Sequence, residues 1–160
     1  MIKIIDGDLL ESGANVILHQ VNCKAKMNSG IAKQIREKYP EVYEQYMKAF
    51  KQVPNSQSLL GHAQSVLVEN NSKIIFNLFA QDNYGYDGKQ YTNLKALQQC
   101  FENALKQVKD LEDKLKTTLS IAMPYKISAT RGGAKWEDVY AIIEEVFRNH
   151  DVELWRLDKG

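Results

Sequence analysis

Charge of one sign, cysteine and long apolar runs are all scarce in this chain, and each scarcity excludes a class of function. The 21 basic and 20 acidic side chains leave a formal net charge of +1. Nothing global therefore draws the protein toward nucleic acid or an anionic membrane, and any anionic ligand is recognised locally. The two cysteines, Cys23 and Cys100, make neither a disulfide framework nor a metal cluster, and no grouping of His, Cys and carboxylates has ligand spacing. Free thiols and no metal are expected. No apolar stretch approaches the ~20 residues that span a bilayer, and the N-terminal MIKIIDGDLL lacks the apolar core and small-residue cleavage site of a secretory signal. A cytoplasmic protein with no membrane attachment is the expectation. Internal repeats and low-complexity tracts are absent too, and 160 residues fit one domain, 1–160.

What is present is an alternation of apolar runs and helical periodicities. IKII, followed by DGD, reads as a first strand ending in a turn, and NVILHQVN is a run too continuous for a half-exposed strand; both read as buried on two faces. Ile31, Ala32 and Ile35 recur at helical spacing behind Ser29 as N-cap, and Pro40 restarts the chain in a second helix to about Gln52. HAQSVLVEN and KIIFNLFAQ flank Asn70, Asn71 and Ser72, which predicts an antiparallel hairpin. Thr92 or Asn93 then caps a helix with Leu94, Leu97, Phe101, Leu105 and Val108 on one face. TTLSIAMP predicts another buried strand, WEDVYAIIEEVFRN a helix and VELWRL a last strand. Such alternation predicts an α/β fold with a mixed sheet and helices on both faces.

In sheets of this kind ligands gather at the carboxyl ends of strands, where loops enter helix N-termini. Three loops qualify: GDLL, NCKAKMNSG and ISATRGG. The Asn22–Gly30 segment runs into a helix, so its N–H groups and the helix dipole favour an anion. Gly30 on one side, with Gly132 and Gly133 on the other, would let backbone approach a phosphate; SG and GG are also ordinary turn dipeptides. Asp8 either accepts from an exocyclic amine or caps the turn that follows it. Asn22 suits ribose hydroxyls, or pins its own loop through an Asx turn. His19, inside an apolar run, reads as a core histidine before a catalyst. Tyr84, Tyr86 and Tyr91 either stack on a base or pack their loop, and Arg131 either meets a phosphate or stays solvated.

Taken in order, GDLL, HQVNCKAKMNSGIAKQIREKYPEVYEQY, NLFAQDNYG and a Trp opening an amphipathic helix before a final strand resemble the macro domain family over essentially the whole chain. The likeness is greatest to the branch of ADP-ribose-1″-phosphate phosphatases and terminal ADP-ribose glycohydrolases. It implies a three-layer α/β/α sandwich and ADP-ribose, free or as ADP-ribosylated protein, as the partner, with no specific nucleic acid and no cofactor. A monomer is expected. Carried over by position, Asp8 would bind the adenine amine and Leu9 would support the ring. Gln20, Asn22, Met27, Asn28, Ser29, Gly30 and Ile31 would line the distal ribose and a phosphate. Ser128, Ala129, Thr130, Arg131, Gly132 and Gly133 would form the opposite wall, and Tyr84 is a further contact.

Some positions depart from the family pattern. Asn28 replaces a glycine, Ser128-Ala129-Thr130 replaces a glycine-rich turn, and the lysine and aspartate used by the branch's glycohydrolases align with Gln81 and Gly132. Asn22, His19, Asp82 and Thr130 remain as polar groups for catalysis, with Asn22 and Asp82 as the candidates and Asp82 as general base. The resemblance implies either a hydrolase acting on a substituent of the distal ribose, a 1″-phosphate or an ADP-ribosyl ester, or a reader module without turnover.

Overall fold

A computed structural model of the chain describes residues 1–27, 30–82, 92–128 and 133–157. Its strands are β1 (Ile2–Asp6), β2 (Val16–Asn22), β3 (Ala63–Val68), β4 (Lys73–Gln81), β5 (Ile121–Pro124) and β6 (Val152–Arg156). The helices among the described residues are α1 (Gly30–Lys38), α2 (Pro40–Lys51), α3 (Leu94–Leu115) and α4 (Trp136–Val146). The strands form one mixed sheet in the order β1-β6-β5-β2-β4-β3, parallel throughout except for β3, which runs antiparallel to β4.

Period-two alternation along β2 explains the layers. Val16 and Leu18 join Phe76, Leu78, Ile121 and Leu154 in a core covered by α3 and α4. Ile17 and Val21 face the other way, with Ile75, Phe79 and Ala122, into a second core covered by α1 and α2. Both faces of the sheet are thus sealed, giving the α/β/α sandwich, and all seven residues of β2 are buried. β1 departs from the expectation of two-sided burial. It lies at the sheet edge, paired only with β6, and Ile4 is 45% exposed. At the edge Ile2 and Ile5, on opposite faces of the strand, are each only half-buried, and Lys3 and Ile4 are exposed.

The β3–β4 hairpin turns through Glu69, Asn70 and Asn71, all at positive φ, a conformation that asparagine tolerates better than most residues. Asn93 caps α3, its side chain accepting from Ala96 N, and Leu97, Phe101, Leu105 and Val108 are buried along one stripe. The sequence left Thr92 and Asn93 both open as that cap; Ser29 falls outside the described residues. No described helix is long and apolar enough to cross a membrane.

Candidate functional site

The parallel strands β1, β2, β5 and β6 all end on the same rim of the sheet, and a cleft of about 310 Å³ opens there. Gly7, Asp8 and Leu9 contribute from the end of β1, Gly30, Ile31 and Gln34 from the start of α1, Pro124, Tyr125 and Lys126 from the end of β5, and Trp155, Arg156 and Leu157 from the end of β6. Aromatic and aliphatic walls around one carboxylate suit a flat heteroaromatic ring with an exocyclic donor.

Local packing fixes that carboxylate. Gly7 is obligatory because a Cβ there would come within 2.7 Å of the Trp155 ring. The next residue, Asp8, accepts from Leu10 N at 3.0 Å through Oδ1 and so caps the short 3₁₀ turn Leu9–Glu11 while lining the cleft. The capping reading of Asp8 holds, and the same residue lines the cleft. Arg156 is tied to Asp6 (Nε to Oδ1, 2.9 Å) and lies over the Tyr125 ring at 5.2 Å. Tyr125 meets Trp136 edge-on at 5.0 Å. After Tyr125 the backbone enters the left-handed region at Lys126 (φ 65°) and Ile127 (φ 42°). A β-branched residue held there stores strain beside the cleft. The Ile127 carbonyl accepts from Gln20 Nε2 at 3.0 Å, so Gln20, on β2, braces this wall. Gln20 Oε1 is buried without a partner among the described residues.

Asn22 braces the loop between β2 and α1. Its Oδ1 accepts from Lys24 N (3.0 Å), Lys26 N (3.3 Å) and Tyr46 Oη (2.9 Å), and its Nδ2 donates to Lys26 O (2.9 Å). The side chain is therefore almost wholly spent on its own loop, with one Nδ2 hydrogen left over. Asp82, just past β4, accepts from Gln57 Nε2 at 2.9 Å and lies 3.8 Å from Lys24 Nζ. Gln81 faces Thr92 through an isolated antiparallel bridge.

His19 is fully buried and bonds Asn77 Oδ1 through Nε2 at 2.6 Å; Asn77 in turn donates to Gln64 Oε1. Its Nε2 carries the hydrogen, since an amide oxygen only accepts. Burial, opposed by the Asn77 bond, pulls its pKa down to about 4, so the ring is neutral. It is a core histidine. Cys23 is also buried, and burial, with the Asp82 charge adding to it, pushes its thiol up to about 12. That protonation makes it a poor nucleophile.

Of the positions singled out in the sequence, Asp8, Leu9, Gly30 and Ile31 meet in the cleft. Gly30 is at φ +62°, at the first residue of α1. Met27 packs its side chain into the core under α1 and α2. Ser128 ends a 3₁₀ turn, and Gly133 follows at φ +81°. Asn28, Ser29, Tyr84, Ala129, Thr130, Arg131 and Gly132 lie outside the described residues. The sequence reading did not include Tyr125, Lys126, Trp155, Arg156 or Leu157. The carboxyl-end rule points to them, but among the described residues no helix follows β6 to draw attention to it.

The model of the family described as Macro domain matches residues 18–143. A DNA ADP-ribosyl glycohydrolase of Thermus aquaticus is 26% identical over 158 residues, covering 97% of this chain and 40% of that protein. The chain thus spans well under half the length of this curated relative. The macrodomain of Mycobacterium tuberculosis DarG superposes with a TM-score of 0.77 at 24% identity, over 99% of each chain. Thermosipho africanus DarTG in complex with ADP-ribose gives a TM-score of 0.72 at 15% identity, over 99% of this chain and 42% of that one. At these identities the structural likenesses establish the fold.

Proposed function

The chain belongs to the macro domain family, and from that premise we propose that it binds ADP-ribose, with adenine in the cleft beside Asp8 and the diphosphate running toward the start of α1. The observation that carries this reading is the meeting of Asp8 and Gly30 in one cleft of about 310 Å³. The carboxylate offers an acceptor for a ring amine, and the helix N-terminus offers donors for an anion. Asp8 Oδ1 serves the turn, which leaves Oδ2 for the amine.

Beyond binding, we propose hydrolysis of a substituent at the distal ribose, a 1″-phosphate or an ADP-ribosyl ester, by water activated at Asp82. Gln57 and Lys24 orient the Asp82 carboxylate. The substrate's own diphosphate helps to place the water. Asn22 acts in this scheme through the loop it shapes. The name of the Thermus aquaticus relative adds ADP-ribosylated DNA to the substrates to be compared with protein. The protein would work as a monomeric domain in the cytoplasm. A reader module without turnover is the second reading, and Gln81, in place of the branch's lysine, favours it over a lysine-dependent glycohydrolase.

Incubation with ADP-ribose-1″-phosphate, an ADP-ribosylated peptide and an ADP-ribosylated oligonucleotide, with products read by mass spectrometry, decides between them. Release of ADP-ribose that Asp82→Asn abolishes supports the hydrolase. Binding without product makes the protein a reader.

A further inference from the structure

A tyrosine buried in α2, far from the cleft in sequence, holds the loop that the proposed site depends on. Tyr46 is fully buried, stacked on Phe79 at 5.7 Å and met edge-on by Phe50 at 5.1 Å. Its hydroxyl nevertheless reaches a polar target at every side. The phenolic hydrogen is shared between Asn22 O at 2.8 Å and Asn22 Oδ1 at 2.9 Å, and the oxygen accepts from Lys26 N at 3.1 Å. Burial raises the hydroxyl well above its usual range, so it stays a protonated donor.

The loop it grips holds a backbone conformation that local preference disfavours. Ala25 sits at φ +59°, a left-handed conformation that alanine rarely adopts. The hydrogen bonds that oppose this preference converge on Asn22 and Tyr46. Lys24, on the same loop, is the residue that faces Asp82. A group 24 positions downstream of Asn22 thus helps to hold the backbone that carries Lys24.

We propose that Tyr46 is a positioning residue for the distal-ribose end of the site: through its hydroxyl it fixes the loop from Asn22 to Lys26, and so sets affinity for the part of ADP-ribose beyond the adenosine. This rests on the ADP-ribose reading. Adenosine recognition at Asp8 and Trp155 is built from β1 and β6 and does not pass through Tyr46.

The test is calorimetric titration of wild type, Tyr46→Phe and Tyr39→Phe with ADP-ribose and with AMP. Tyr39→Phe controls for the loss of a tyrosine hydroxyl bond in the same layer, since the Tyr39 hydroxyl bonds Glu69 and Tyr39 does not line the cleft. Tyr46→Phe keeps the ring packing and is expected to weaken ADP-ribose about tenfold, the effect of one lost hydrogen bond, with AMP unchanged; Tyr39→Phe leaves both unchanged. Hydrogen exchange without ligand gives a second readout, in which the Lys26 amide exchanges faster in Tyr46→Phe while the β2 amides do not. Equal loss for both nucleotides, or unchanged ADP-ribose affinity whatever the exchange at Lys26, overturns the proposal. A wild type that binds neither nucleotide removes the ADP-ribose reading itself, and this role with it.

Discussion

Asp8 has two carboxylate oxygens and commits one of them to a cap. Capping uses Oδ1, and an adenine amine would use the other, so Asp8→Ala is expected to weaken ADP-ribose by roughly 1–3 kcal/mol, the range for a lost charge-assisted hydrogen bond. Unchanged affinity by calorimetry rejects the adenine assignment. His19 makes a different prediction, about pH. Its folded pKa is pulled from 6.5 to about 4 by burial, so the unfolded chain binds the proton more readily. Above about pH 6.5 both states are neutral and this group costs nothing. As pH falls from 6.5 toward 4, stability drops by up to roughly 3 kcal/mol. Denaturant titrations across that window should show the slope, and His19→Gln should flatten it; an equal slope in the variant sinks the assignment. At this scale the sequence was legible wherever a residue acts on its neighbours, as with the Asp8 cap and the Asn22 loop turn. Tyr46 was invisible, because its hydroxyl finds Asn22 only once α2 has packed on the sheet.

At the scale of elements, strand and helix positions were readable from apolar spacing, and their ends from caps. Asn93 illustrates this: its side chain accepts Ala96 N at 2.9 Å and starts a 22-residue helix. Asn93→Ala should therefore lower stability by about 1 kcal/mol, a melting-temperature drop of about 2–4 °C for a chain of this size. A melt matching wild type would show that water or a neighbour replaces the cap. Less legible were β1 and the turn after β5. β1 has the composition of an interior strand, but only the pairing order places it at an edge. The turn after β5 reads as plain loop in sequence. It nonetheless holds Lys126 and Ile127 at positive φ, a conformation that tertiary contacts such as the Gln20 bond impose against local preference.

The whole molecule is a sheet sealed on both faces, with its parallel strands ending on one rim. That arrangement lets β1, β5 and β6 build the walls of one cleft while β2 braces the loops on either side, through Gln20 and Asn22. Alternation of strands and helices predicted the layers, but not the order β1-β6-β5-β2-β4-β3 that brings Trp155 beside Gly7. With a net charge of only +1, affinity for a dianionic ligand has to come from this local geometry and not from a global field. Calorimetric titration of the wild-type protein with ADP-ribose tests that most directly. Saturable one-to-one binding, with AMP competing for the same site, is the predicted result. Absence of binding, or ADP-ribose binding that AMP does not compete with, would contradict it.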